Sequence, residues 1–168
     1  MDTFETIRTV LAVRSYQKKP IPPEIIRRIV DAGRLTGSGK NRQPWHFVVV
    51  RDPETIVRLG ALTQTGPYIP GAAAAVVVAI EQDNFALSDA SRAIQSMILT
   101  AWSEGVGSNW VGFFGLDAVR SLLGIPDNLD VLAVLPFGYP AEARTGNKKN
   151  RKPLDKVAHR ERFGIPFV

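Results

Sequence analysis

Ala74-Ala75-Val76-Val77-Val78-Ala79-Ile80 is an apolar run with no polar side chain. A strand with one wet face alternates apolar and polar residues. This stretch does not alternate, so it is expected to be a strand buried on both faces. Gly66-Pro67 and Pro70-Gly71 punctuate the approach to it. Two buried faces call for helices on both sides, which is a three-layer α/β/α arrangement of the α+β class.

Outward from that strand, the helices needed to cover it are readable. Ser88 to Glu104 carries Ile94, Met97, Ile98 and Ala101 at helical spacing and stops at Gly105. Pro23-Glu24 suits a first helical turn, and Ile25, Ile26, Ile29 and Val30 give the segment to Leu35 an apolar stripe. Phe4, Ile7, Val10 and Leu11 predict a helix over Asp2 to Val13. Shorter helices are expected over Glu54 to Leu62, after Pro53, and over Leu116 to Leu123. His46 to Val50 and Val131 to Tyr139 read as further strands, and Ser108 to Phe114 as extended chain. No internal repeat, linker or composition shift divides the 168 residues, so 1–168 is read as a single domain.

Composition removes several classes of chemistry. There is no cysteine, which excludes disulfides, thiolate metal sites and cysteine nucleophiles together. The two histidines, His46 and His159, lack metal-ligand spacing. The first residues, Met1-Asp2-Thr3-Phe4-Glu5, are acidic and without an apolar core, so they do not read as a signal peptide. No apolar run is long enough to span a bilayer. A cytoplasmic protein without a membrane partner is the expectation. The net charge of +5 gathers between Arg144 and Arg162 rather than along an aromatic-interleaved face. Charge so placed suits a local anion better than a nucleic acid.

No nucleophile elbow, phosphate loop or paired carboxylates stand out. Gly105-Val-Gly-Ser108 follows a helix and precedes a strand, the reverse of the order a dinucleotide fingerprint requires. What remains is an ordered set of short segments. They are Arg14-Ser15-Tyr16, Ser38-Gly-Lys-Asn-Arg-Gln-Pro-Trp45, Gly105-Val-Gly-Ser-Asn-Trp-Val-Gly112, Pro136-Phe-Gly-Tyr-Pro140 and Lys149-Asn-Arg-Lys-Pro-Leu154. In order and spacing, over nearly the whole chain, this set resembles the nitroreductase family.

The resemblance implies a mixed sheet flanked by helices, and an intertwined homodimer with two FMN sites at its interface. It also implies a ping-pong reaction in which NAD(P)H reduces the flavin and a nitroaromatic, quinone or similar acceptor reoxidises it. The flavin would carry the redox chemistry, which explains the missing acid–base constellation. Residue by residue, the family pattern puts Ser38 and Asn41 against the flavin from the partner subunit, with Gln43 beside them. Amides suit a ring edge that alternates donors and acceptors. Arg14 matches a basic position near the flavin's N1, where a guanidinium would stabilise the anionic reduced form. Gly112 and Phe113 match the backbone that passes the reactive N5. Lys149 and Arg151 match the pair that grips the phosphate.

Two positions depart from the pattern. Val10-Leu11-Ala12 stand where many relatives carry Arg-Arg-Ser, which leaves the phosphate to Lys149 and Arg151. Arg8, one helical turn before Ala12, is the nearest replacement cation. Gly37 stands where relatives commonly have proline. The chain is also short between Trp45 and Val76, so an open site is expected. A non-catalytic flavin or nucleotide binder on the same fold is the alternative reading.

Overall fold

The structure is a computed structural model, and it describes residues 2–112, 115–142 and 149–167. Helices α1 (Thr3–Thr9), α2 (Pro23–Arg34), α3 (Pro53–Leu62), α4 (Ala86–Ser103) and α5 (Asp117–Leu123) surround five strands. The strands are β1 (Trp45–Val50), β2 (Ala74–Glu81), β3 (Gly107–Ser108), β4 (Val111–Gly112) and β5 (Leu129–Gly138). Their order is β1-β2-β5-β3, with β4 also paired to β5. All four strand ladders are antiparallel, and the sheet is mixed only through a parallel bridge between Ala12 and Ser108.

The apolar run from Ala74 lies near the middle of this sheet, and its alternate side chains serve opposite layers. Ala74, Val76 and Val78 join Ile26 and Ile29 of α2 and Ile94 and Met97 of α4 in one core. Ala75, Val77 and Ala79 join Ile56 and Leu59 of α3 and Val119 of α5 in the other. Two buried faces are the hallmark of parallel sheets. Here the strands are antiparallel, and helices on both sides supply the burial instead.

One expected element is shortened. The helix predicted over Asp2 to Val13 ends at Thr9. Its apolar spacing continues, but Val13 leaves to donate its N–H to the Ser108 carbonyl at 2.8 Å. The β-branched Val13 packs where Gly107 leaves space: a Cβ on Gly107 would lie 2.3 Å from Val13 Cγ2. Tertiary pairing overrides local periodicity here. The other predicted helices and strands form within two residues of their expected limits, apart from the extended segment from Ser108, whose described part holds only β3 and β4.

Candidate functional site

Where α1 ends, the chain turns along β3 and leaves a cleft of about 440 Å³. That is within the range of small-molecule and cofactor sites. Its walls are Ile7, Val10, Leu11 and Ala12 on one side, Gln95 and Ile98 of α4, and Ser108, Asn109 and Trp110 after α4. Lys149 and Arg151 close it at the cationic end. The chain that leaves α1 after Thr9 thus supplies one wall of the cleft.

Lys149 reaches back to the end of α1 and donates to the Ile7 carbonyl at 2.5 Å. Partial burial lowers its ammonium pKa from the usual lysine range, and the neighbouring cations Arg151 and Arg8 lower it further. A cation disfavoured by burial and by like-charged neighbours is stabilised by an anion placed against it. Arg8 does not take the place of the missing motif cations. Its guanidinium is paired with Glu5 through Nε and Nη2, at 2.6–3.0 Å. The Val10-Leu11-Ala12 wall stays uncharged.

Arg14 is exposed and does not line the cleft. Its guanidinium lies over the Tyr68 ring, 5.9 Å from the centroid. The Tyr68 hydroxyl accepts a hydrogen bond from the Asn109 amide, which does line the cleft. Arg14 thus meets the site through two intermediaries. Asn109 was not singled out from sequence, although it sits inside the Gly105–Gly112 segment that was. The signal available in the sequence is an amide side chain two residues after Gly107, and its burial emerges only in the fold.

Ser38, Asn41 and Gln43 form a separate group, away from the cleft of their own chain. The Ser38 hydroxyl accepts from the Gln43 N–H at 2.9 Å, closing the loop on itself. Lys40, Asn41 and Gln43 all have left-handed backbones, with φ of 51°, 55° and 52°. Such non-glycine conformations cost about 1–3 kcal/mol each and cluster at ligand sites. Asn41 and Gln43 remain exposed, and the Gln43 amide donates to the Asn41 carbonyl at 3.3 Å.

Gly112 has a plainer reason to be glycine. A Cβ there would lie 2.6 Å from the Leu132 carbonyl oxygen on β5, so the sheet itself excludes a side chain. Phe113 lies outside the described residues. No group of three or more His, Cys, Asp or Glu suited to a metal ion occurs among the described residues. Nor is any of their helices long and apolar enough to cross a membrane.

Comparison with known proteins agrees with this architecture. The family model described as "Nitroreductase family" matches residues 8–83 and 66–139. A protein of Methanothermobacter thermautotrophicus named "Putative NADH dehydrogenase/NAD(P)H nitroreductase" is 34% identical over 151 residues, covering 84% of this chain and 79% of the relative. One of the same name from Archaeoglobus fulgidus is 32% identical over 172 residues, covering 96% and 99%. The crystal structure of a protein with that name from Bacteroides thetaiotaomicron superposes with a TM-score of 0.87 at 29% identity, covering 96% of this chain and 98% of the other. With its three layers, its short α1 and matches along most of its length, the chain belongs to the nitroreductase family of oxidoreductases.

Proposed function

We propose that two copies of this chain bind FMN at the seam between them and catalyse NAD(P)H-dependent reduction of a nitroaromatic, quinone or similar conjugated acceptor. The setting is the cytoplasm and the scheme is ping-pong. The observation that carries this reading is the cleft: two cations at one end, an apolar wall along one side and a buried amide on its floor. A phosphate needs the first, and a flat ring system uses the others. The donor set therefore fits FMN.

When bound, FMN supplies the two-electron chemistry that the side chains of this chain do not. The chain's own residues bind and orient. Lys149 and Arg151 hold the phosphate by charge-assisted hydrogen bonds. Ile7, Val10, Leu11 and Ile98 exclude water from one flank of the cleft. Asn109 offers its remaining amide hydrogen-bonding capacity to a ring edge, while Tyr68 fixes its orientation. Arg14 lends positive charge through Tyr68. Gly112 and Phe113 remain the candidates for a backbone N–H toward the reactive edge, on the family pattern alone.

A second copy is supported by what the single chain leaves uncovered. The exposed residues Asn41 and Gln43 line no part of their own chain's cleft. Phe4 and Ile7 on α1 are exposed, as are Leu154, Val157, Phe163 and Phe167 near the C-terminal end. Phe163 is 92% exposed, a costly state for a phenyl ring in water.

The uncharged Val10-Leu11-Ala12 wall favours one rival, a flavin or nucleotide binder without turnover. A single preparation separates the two. Protein purified in excess FMN is expected to retain yellow absorbance that bleaches on adding NADH or NADPH and returns with a quinone. Bound flavin that neither pyridine nucleotide bleaches selects the rival. Colourless protein with no flavin-dependent NAD(P)H oxidation overturns the enzyme and the flavin binder alike, and the rival then stands only if the protein binds another nucleotide.

A further inference from the structure

Asp89, in the first turn of α4, is only 3% exposed, yet it belongs to no part of the cleft. A carboxylate so buried needs partners to remain charged. Its Oδ2 accepts the Gly39 N–H at 2.9 Å, and its Oδ1 is paired with Arg92. Asp89 is not the N-cap of α4, a place taken by Phe85. In the connection that precedes α4, Asp83 pairs with Arg42. The turn that carries Asn41 is thus tied on both sides, at Gly39 to α4 and at Arg42 to the connection before it.

The loop contributes little to the core. None of Gly39, Lys40 and Asn41 is buried. Three of the four left-handed non-glycine residues among those described fall within its four positions from Lys40 to Gln43. A buried charge is here committed to holding an exposed turn with left-handed residues, whose other contact with this region is Arg42 over the Phe85 ring, 5.7 Å from its centroid. What such an arrangement secures is the direction of the turn's side chains.

We propose that Asp89 is a positioning residue: through the Gly39 N–H it holds the turn in which Asn41 and Gln43 are presented to the flavin bound across the subunit seam. This rests on the functional reading above, and it adds a residue that touches neither flavin nor substrate. The conformation is built before the ligand arrives, so binding does not have to order the turn.

The test compares Asp89→Ala, Asp89→Asn and Gly39→Pro with the wild type. Asparagine keeps an oxygen acceptor for the Gly39 N–H. Proline removes that N–H without touching α4, and the extended backbone of Ser38 (φ −130°, ψ 158°) suits a residue preceding proline. Two readouts are taken on apo protein: FMN affinity by quenching of flavin fluorescence, and the rate of trypsin cleavage after Lys40 and Arg42. Expected are a loss of FMN affinity of about tenfold or more in Asp89→Ala and Gly39→Pro, faster cleavage in both, and recovery of most of each in Asp89→Asn. Unchanged cleavage in Gly39→Pro and Asp89→Ala overturns the clamp. Faster cleavage with unchanged FMN affinity overturns its role toward the ligand. Wild-type protein that binds no FMN overturns the flavin reading itself, while the cleavage rates still decide whether Asp89 holds the turn.

Discussion

The Asp89 carboxyl has its pKa lowered first by the Gly39 N–H and then by the Arg92 guanidinium, against the opposing effect of burial. A carboxyl depressed on folding contributes stability that is complete above its unfolded value, near 3.8, and is lost as pH falls through the lower folded value. Glu5, held by Arg8, and Asp52, held by Thr55, shift in the same direction, so acid unfolding of the wild type mixes all three. The difference between wild type and Asp89→Asn isolates one. Calorimetry from pH 6 downward is expected to show the wild type ahead at pH 6 and the two converging at the acid end. A gap that widens on acidification would contradict the assignment. Lys149 has the opposite sign. Its charged form is disfavoured by folding, which costs stability below its lowered folded pKa, and the cost is relieved as pH rises through that value. A bound phosphate should reverse the penalty. Hydrogen bonds to charged groups contribute about 1.5–3 kcal/mol, so Lys149→Ala and Arg151→Ala should each weaken FMN binding by about tenfold or more, with riboflavin affinity little changed. Equal losses for FMN and riboflavin would mean that these cations do not hold the phosphate.

At the scale of the element, the decisive contact is between Gly107 on β3 and the chain leaving α1. Gly107→Ala places a methyl against Val13, and overpacking of this kind costs about 1–3 kcal/mol. The expected result is a Tm lower by several degrees together with weaker FMN binding, since the same contact sets the cleft wall. Val13→Ala in the same chain should restore part of the stability, and a double-mutant cycle measures the coupling. Additive losses would show that the two residues do not meet. Much of this scale was legible in the sequence. The apolar run from Ala74 announced a two-faced strand, and Pro23, Pro53 and Gly105 marked helix limits. The overrun of α1 was not legible, because Val10 and Leu11 keep helical spacing while Val13 is claimed by a residue far along the chain. Charge clustered in one stretch pointed to a local anion, and the family pattern singled out Lys149 and Arg151 within it, which the structure brings to the cleft. Asp89 was invisible: an acid in a first helical turn reads as a solvated, dipole-favoured residue. Only the fold brings Gly39 against it. Gly112 fits the family pattern, but the carbonyl of Leu132 already accounts for its lack of a side chain.

For the molecule as a whole, the uncovered residues near the C-terminal end make association the expected state. Sedimentation of the purified chain should give twice the monomer mass, and deletion from Val157 onward should shift it toward monomer and lower FMN affinity with it. A full-length chain that sediments as a monomer while binding FMN tightly would remove the seam from the proposal. A different consequence follows from β2. Its odd and even positions serve two separate layers, so a single inserted residue there would swap the contents of both at once. The ladder already absorbs one extra residue, Leu132 of β5, as a bulge opposite Val78 and Ala79. Further length is expected to be tolerated in the connections between elements, where added loops would reshape the cleft's surroundings without re-sorting the two layers.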